Sequence, residues 1–450
     1  MTQASAREVA LRVFLEWDEG RESADALLDG AFRAHRLSPR DRALAFELVR
    51  GVFRWRGRLD WQLAAVVTRP FAELEPIVRW LLRLGLYQLE HLDRVPAHAA
   101  VDTSVELAKR FRKPGAATLV NAVLRRAPAV VAELAEPDAS TDPVGHLAAR
   151  TSHPAWLLER WCQRFGFRKT KALAAANNEK PSLTLRVTSD RVEPADLIED
   201  LRAEGVEASL GRYVPESVRL PGGWHPALEP ILDSGIAVVQ DEAASLVTYA
   251  ARPVPGARVL DVCAAPGGKS LHFAQLCGGA FVVACDVSAG RLAALDRMRR
   301  TLCLDSVHPV VADGRRPATA GGFSRVLVDA PCTNTGVLGK RPDARWRKEE
   351  ADVARLAALQ LELLDASRAQ VAPGGLLVYS TCSLEPEENE GVVGTYLSRH
   401  PSDRLQSVAD VLPDELVVDS CLATNPVSHG IDGAFAAVIR PNAGAFEVLR

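Results

Sequence analysis

The sequence predicts a multi-domain chain: an all-α domain over residues 1–145, a linker helix and small α/β domain over 146–235, and an α/β domain with a mainly parallel sheet over 236–450. Three patterns predict it. Apolar residues recur at helical spacing up to about residue 145; short alternating runs flank one helical stretch between about 176 and 235; compact apolar runs then alternate with helical ones to the end. A chain of 450 residues, 47% hydrophobic and 25% charged, can fill two or three cores.

In the first part, Ser5 and Glu8 match a capping box ahead of the stripe Val9, Val13, Phe14 and Trp17, with Gly20 as the stop. Ser38-Pro39 reads as an N-cap with proline at the first helical position, opening "RDRALAFELVRGVFRW". Helical spacing returns in "PIVRWLLRLGLYQLEHL", "AAVDTSVELAKRF" and "LVNAVLRR". In the second part Leu183, Leu185 and Val187 alternate as a strand does. There "EPADLIEDLRAEG" is a helix stopped by Gly205, and "VEASLGR" and "ESVRLPG" are short strands. In the third part the strands are "ARVLDVCA", "AFVVACDV", "HPVVADG", "SRVLVDAP" and "GGLLVYSTC", each ending in Asp, Cys or both. Ligands of parallel sheets bind at those carboxyl ends.

A net charge of −3 excludes a generally basic nucleic-acid coat, so charge has to act locally. Arg150, Arg160, Arg164, Arg168, Lys169 and Lys171 form one basic cluster, equally readable as a solvated helix face; Lys340, Arg341, Arg345, Arg347 and Lys348 form a second, which carries Trp346. The N-terminus has no signal-peptide pattern and no apolar run approaches membrane-spanning length, so the expectation is a cytoplasmic protein without a membrane partner. Eight scattered cysteines lack both zinc-site spacing and the density of a disulfide framework. Free thiols and no metal are expected.

After the first of these strands, Cys263-Ala264-Ala265-Pro266-Gly267-Gly268-Lys269-Ser270 places two glycines where the backbone can turn tightly toward a ligand before a helix. Neither the GxGxxG nor the GxxxxGK[ST] spacing is present. Asp286 ends the second strand, eighteen residues past Gly268, about where an acidic side chain grips ribose hydroxyls in this architecture. Asp313 and Asp329 end the next two. Three such carboxylates beside a glycine turn favour a cofactor site over helix caps.

"DVCAAPGGKS", "ACDVS", "VADG", "VDAPCTNTGVLGKRPDARW" and "YSTCSLEPEENE" resemble, in order and spacing, the S-adenosylmethionine-dependent RNA 5-methylcytosine methyltransferases of the NOL1/NOP2/Sun family. "REVALRVFLEW", "DRALAFELVRGVFRWRGRLD", "LRLGLYQLEHLDRVPAHAAV" and "LVNAVLRR" are similar to the NusB-type helical RNA-binding domain, and the pairing resembles the bacterial 16S rRNA branch of RsmB (Sun/Fmu) type. The resemblance implies a NusB-like domain, an RRM-like middle domain and a Rossmann-like class I methyltransferase domain. It implies that Cys263, Ala264, Ala265, Pro266, Gly267, Gly268 and Lys269 hold the methionine end of S-adenosyl-L-methionine, Asp286 its ribose and Asp313 its adenine edge. Asp329 would lie between cofactor and cytosine, Cys382 would be the nucleophile, and Cys332 would serve product release. The implied partner is 16S rRNA or a small-subunit precursor, bound by a monomer, with Lys340, Arg341, Arg345 and Trp346 holding phosphates and a stacked base. Ala434 and Ala436 stand where relatives usually carry aromatic residues.

The chemistry asks for such a thiol. Carbon 5 of cytosine is a poor nucleophile until a thiolate adds at carbon 6 and makes the ring an enamine. A thiol with a pKa near ~8.5 is already partly ionised at neutral pH, unlike the hydroxyls of Ser380 and Ser383. Asp329 would share a proton at ring nitrogen 3, which favours a raised pKa. The reacting base must be unpaired or flipped from its stack. Cys263, Cys277, Cys285 and Cys303 read as packing residues. Two alternatives stay open: DNA cytosine methylation with Cys332 as the nucleophile, and an RNA-binding or antitermination factor whose catalytic half is vestigial.

Overall fold

A computed structural model describes residues 4–442 except 21, 112, 189 and 191. The chain divides into two compact units, Met1–Glu179 with Leu338–Arg347, and Lys180–Val337 with Lys348–Arg450.

The first unit is helical: α1 (Ala6–Glu19), α2 (Ala24–Ala34), α3 (Pro39–Val66), α4 (Pro76–His91), α5 (Ala97–Arg110), α6 (Pro114–Ala132), α7 (Pro143–Thr151), α8 (Ala155–Phe165) and α9 (Phe167–Ala176). Ser38 caps α3 by accepting from the Asp41 N–H at 3.1 Å. Ser5 caps α1 through the Glu8 N–H at 3.2 Å. The Glu8 carboxylate, expected to complete a capping box, instead pairs with Arg12 and Arg110 at 2.8 Å each. Helical spacing on α1, α3 and α4 projects Phe14, Trp17, Phe53 and Trp80 into one core, where Phe14 stacks on Trp80 at 4.6 Å and meets Phe53 edge-on at 5.4 Å. Helices α7–α9, read from the sequence as part of the middle region, belong to this unit.

So does the segment 338–347, where the burial of Arg345 runs against its expected role as a phosphate contact. The Arg345 guanidinium is 1% exposed and donates to the carbonyls of Arg54, Ser152, Asn177 and Leu338 and to Asn178 Oδ1, at 3.0–3.4 Å. Burial lowers its pKa to about 9. Buried, and with both terminal nitrogens bonded inside the unit, it has no face to offer a phosphate. Trp346 donates its indole N–H to the Phe53 carbonyl at 2.6 Å and packs on the aromatic core; Gly57 leaves room for it, since a Cβ there would fall 2.7 Å from the ring. Asp343 accepts from the Ala24 N–H at the start of α2 and from Trp17 Nε1. The charges that make this segment look like a surface patch in the sequence therefore fasten it inward, while Arg341 is exposed and Lys340 half-buried.

The second unit holds two sheets. The smaller comprises β1 (Leu183–Val187), β2 (Ser209–Leu210), β3 (Ser217–Leu220) and β4 (Ala237–Val239), paired antiparallel in the order β2-β3-β1-β4, with α10 (Pro194–Ala203) and α11 (Leu228–Asp233). Leu185, Leu197, Leu201, Val218, Leu220 and Leu228 form its core. Strand β4 carries this sheet past residue 235, the boundary expected from the sequence; three residues are too few to display a period.

The larger sheet contains β5 (Arg258–Asp261), β6 (Phe281–Asp286), β7 (Val307–Val311), β8 (Phe323–Asp329), β9 (Val371–Thr381), β10 (Arg404–Gln406), β11 (Val417–Val418), β12 (Cys421–Ala423) and β13 (Phe435–Arg440), with α12 (Glu242–Ala250), α13 (Gly268–Leu276), α14 (Ala289–Thr301), α15 (Glu350–Arg368), α16 (Glu390–Arg399) and α17 (Pro426–His429). Its order is β11-β12-β13-β9-β8-β5-β6-β7, with β10 on β13. Strands β9-β8-β5-β6-β7 are parallel, and β10–β13 add antiparallel partners. The chain leaves β5 toward β6 on one side and returns to β8 on the other, so the carboxyl end of β5 is a topological switch point. Ala434 and Ala436 are buried, and Ala436 lies opposite Ser380 in the β13–β9 pair. Among the described residues no helix is long and apolar enough to cross a membrane.

Arg345→Ala would orphan several buried acceptors at once, so it should cost more than about 3 kcal/mol of unfolding free energy, whereas Arg341→Ala should stay within about 0.5 kcal/mol. Urea denaturation of the two variants measures both.

Candidate active site

Four strands of the parallel core end in the residues that the sequence singles out. At the end of β5 the chain enters the loop 262–267. The Ala264 N–H donates to the Cys285 carbonyl at 2.8 Å and the Ala265 N–H to Asp286 Oδ2 at 3.2 Å, so the loop folds back over the end of β6. Gly267 adopts φ +112°, and a Cβ there would lie 2.6 Å from Leu295. Only glycine suits that turn. Ser270, in the first turn of α13, donates to Asp261 Oδ2 at 2.6 Å and ties the helix start to the end of β5.

Asp286 also accepts from the Ser288 N–H at 2.9 Å and from the largely exposed Arg291 side chain at 2.7 Å. A carboxylate has about four acceptor sites. One remains on Oδ2, and an outward swing of Arg291 would release another, which suits a pair of ribose hydroxyls.

Lys269 reaches across from α13 to Asp329 at the end of β8, Nζ to Oδ2 at 2.7 Å, while Ser380 of β9 donates to Oδ1 at 2.8 Å. Burial works against the ammonium, but Asp329, helped by Cys382 and Asp261, holds the Lys269 pKa above its ordinary value. Asp261, 1% exposed, is the carboxyl that burial lifts, to about 7, with Ser270 and Lys269 opposing and Asp329 adding to the rise.

Beyond β8 and β9 lie the two thiols. Cys332 and Cys382 are 3.4 Å apart, Sγ to Sγ, and Cys382 also donates to Asn334 Oδ1 at 3.1 Å. The hydrogen bond with Cys382, together with burial, raises the Cys332 pKa well above the ordinary thiol value. Burial and the three aspartates around it raise that of Cys263. The Gly336 N–H donates to the Cys382 carbonyl at 2.9 Å, and a Cβ on Gly336 would fall 2.8 Å from that oxygen, so the two thiol-bearing loops are in backbone contact.

The structure thus brings together Cys263–Lys269 with Asp286, and Lys269 with Asp329 and both thiols. Asp313 accepts from Arg315 at 2.7 Å, which lowers its pKa, and the preceding Ala312 N–H donates to the Asp286 carbonyl at 3.1 Å. Sequence reading missed Asp261, Asn334 and Glu388. Asn334 has φ +63°, a backbone conformation that asparagine tolerates better than most residues, and "PCTN" is the signal that was available.

The NusB family model matches residues 4–128, a ferredoxin-like domain of RsmF/B-like methyltransferases matches 153–225, and the model of the 16S rRNA methyltransferase RsmB/F matches 248–440. A Bacillus subtilis protein named "Probable ribosomal RNA small subunit methyltransferase B" is 34% identical over 98% of this chain and 99% of its own length. The ribosomal RNA small subunit methyltransferase B of Cronobacter sakazakii is 36% identical over 82% and 85%. The chain belongs to the RsmB/F family of 16S rRNA methyltransferases. Among solved structures, PH0851 superposes with a TM-score of 0.83 at 24% identity over 98% of this chain and all of that one. NSun6 from Pyrococcus horikoshii, determined with SFG, has a TM-score of 0.57 at 21% identity over 64% and 98%. Both share the fold of this RsmB/F-family chain.

The raised Asp261 has a sign that can be tested. Between the ordinary carboxylate range and about pH 7 the folded state holds a proton there that the unfolded chain has lost, so Asp261 contributes stability at low pH that fades as pH rises toward 7. Asp261→Asn, which mimics the neutral acid, should gain on the parent between pH 4 and 7 and hold a constant difference above it. Urea denaturation across that range, showing parallel curves, would remove the proton from Asp261.

Proposed function

We propose that this chain transfers a methyl group from S-adenosyl-L-methionine to carbon 5 of a cytosine in 16S rRNA through a covalent bond between Cys382 and carbon 6. The observation that carries the reading is the pair of thiols 3.4 Å apart at the carboxyl edge of the sheet, next to the Lys269–Asp329 ion pair. SFG, an analogue of S-adenosylmethionine, accompanies a structural relative, and the donor set on β5, β6 and β8 suits the same molecule here. Residues 263–269 would take its methionine end and Asp286 its ribose; Asp313 would reach the adenine edge once Arg315, itself largely exposed, moves aside.

Bound there, the cofactor supplies an electrophilic methyl group on a sulfonium. The protein's own part is to activate the base. Lys269, whose charge acts on Cys382 as well as on Asp329, favours the thiolate that adds at carbon 6. Asp329 keeps acceptor sites beyond those used by Lys269 and Ser380, enough to receive the exocyclic amine of the base. After carbon 5 has taken the methyl group, its proton passes to a water molecule, the C–H electron pair restores the carbon 5–carbon 6 double bond, and the carbon–sulfur bond breaks with its electron pair returning to Cys382. Cys332, kept as a neutral thiol, can then donate a hydrogen bond to the departing sulfur. Lys340, the exposed Arg341 and the NusB-like helices would engage the RNA backbone, and a small-subunit precursor is an equally suitable form of the substrate.

Two measurements test this. Asp286→Ala should weaken S-adenosylmethionine binding by about 1–3 kcal/mol, read by calorimetry; equal affinity takes Asp286 out of the site. On denaturing gels with cofactor and 16S rRNA, Cys382→Ala should give neither methylation nor adduct. Cys332→Ala should methylate and then accumulate an enzyme–RNA band that reductant does not release, and the double variant should show no band. A band from Cys382→Ala and none from Cys332→Ala reverses the assignment of the thiols.

A further inference from the structure

Glu388 is fully buried, carries a titratable group, and has no part in the scheme above. Its carboxylate accepts from the Thr333 N–H at 3.0 Å, from the Thr333 hydroxyl, from the Ser383 hydroxyl and from Gln360 Nε2 at 2.9 Å. The first two donors follow Cys332 directly in the chain, and the third follows Cys382 directly. The fourth comes from α15, whose Gln360 also donates to the Pro331 carbonyl at 2.9 Å and accepts from Tyr379 of β9 at 3.0 Å. The neighbouring Asn389 accepts from Thr381 Oγ1 at 2.6 Å and donates to the Ser383 carbonyl at 2.9 Å. Thus every residue adjoining the two cysteines, Pro331 and Thr333 on one side and Thr381 and Ser383 on the other, is bonded by Glu388, by Asn389 or by Glu388's own partner Gln360.

We propose that Glu388 is a positioning residue for both thiols, a buried acceptor that clamps the Cys332 loop and the Cys382 strand end together and so sets the separation at which one sulfur can assist the other's release. A carboxylate suits the task because four donors converge on it, which no neutral side chain can accept at two oxygens without presenting a donor of its own. Glu388→Gln is nearly isosteric, yet its amide would face N–H and O–H donors. The clamp has two arms with separate consequences. The Thr333 arm holds the thiol assigned to release, and the Ser383 arm holds the thiol assigned to attack. The inference rests on the adduct chemistry for its kinetic consequences, though not for its mechanical one.

The test pairs hydrogen–deuterium exchange of the free protein with single-turnover methylation of an unmodified 16S rRNA transcript by radiolabelled S-adenosylmethionine. In Glu388→Gln, exchange should rise in 331–337 and 381–389 and not elsewhere, cofactor affinity should stay at the parent value, and turnover should fall about 100-fold, as for misplaced reacting groups. Thr333→Val weakens one arm by removing its hydroxyl while leaving the backbone N–H bond, Ser383→Ala removes the other, and both serve even if the glutamine variant does not fold. Thr333→Val should accumulate the enzyme–RNA band with methyl transfer retained; Ser383→Ala should form the adduct about tenfold more slowly and accumulate none. Parent-like exchange in Glu388→Gln overturns the clamp whichever thiol reacts. A uniform loss of rate in both single-arm variants, tracking a lowered melting temperature, also overturns it, because a merely structural residue would do that. Loosening of the two segments while Cys332→Ala and Cys382→Ala turn over alike supports the clamp and overturns the adduct reading instead.

Discussion

Strands β8 and β9 run parallel with Asp329 opposite Ser380, and the site is built outward from that register. The Ser380 hydroxyl reaches Asp329 because the two residues share a rung, and the same pairing carries Cys332 and Cys382, three and two residues further on, to one place. Side chains alternate along a strand, so a slip of one residue would turn Asp329 or Ser380 to the opposite face and separate the sulfurs. Register in this part of the sheet is well fixed. Leu327 and Val378 pack into one core and Val326, Val328, Leu377 and Tyr379 into another, so both faces of both strands resist a slip.

Upon this frame the charges are few and interdependent. Asp261 and Asp329 act on each other and on a single ammonium, that of Lys269, and Lys269 also acts on Cys382. Two carboxyls sharing one cation cannot both be ionised cheaply in a dry interior. Asp329 has the ion pair and the more open position, and Asp261, held by Ser270 beneath the loop, is the one lifted toward neutrality. The arrangement places one ammonium within electrostatic reach of two carboxyls and one thiol, so a change at any of them is felt by the others.

Much of this was legible in the sequence because strand-end residues sit beside turn signals. The glycine pair after "DVCAAP", the aspartates that end β6 and β8 and the two cysteines were readable, while Asp313 falls two residues past the end of β7, and the parallel core follows from the alternation of apolar runs with helical ones. What stayed hidden depends on burial or on pairing at a distance. The antiparallel strands β10–β12 and the small strand β4 are two or three residues long, too short for a period to show. Glu388 stands among acidic neighbours in "EPEENE", where a charge run reads as solvated surface, and only the convergence of donors from three segments marks it out. Arg345 misled in the opposite direction. Its neighbours are basic, yet its guanidinium satisfies main-chain oxygens, a use of arginine that composition cannot distinguish from a phosphate contact.

The same stretch of chain shows how closely the thiol loop is constrained along its length. Cys332 follows the end of β8, Thr333 is held by Glu388, and Gly336 is bonded to the backbone of both Cys382 and Gly433. Two residues after Gly336, Leu338 already belongs to the helical unit, where its carbonyl is held by Arg345. Between the end of β8 and Gly336 the loop has little slack: Pro331, Thr333, Thr335 and Gly336 are each bonded to another part of the chain. A loop with free length could carry Cys332 in and out of reach of Cys382 as the reaction proceeds. One bonded at Pro331, Thr333, Thr335 and Gly336 holds Cys332 from both sides, so its separation from Cys382 is set within the fold of the second unit itself.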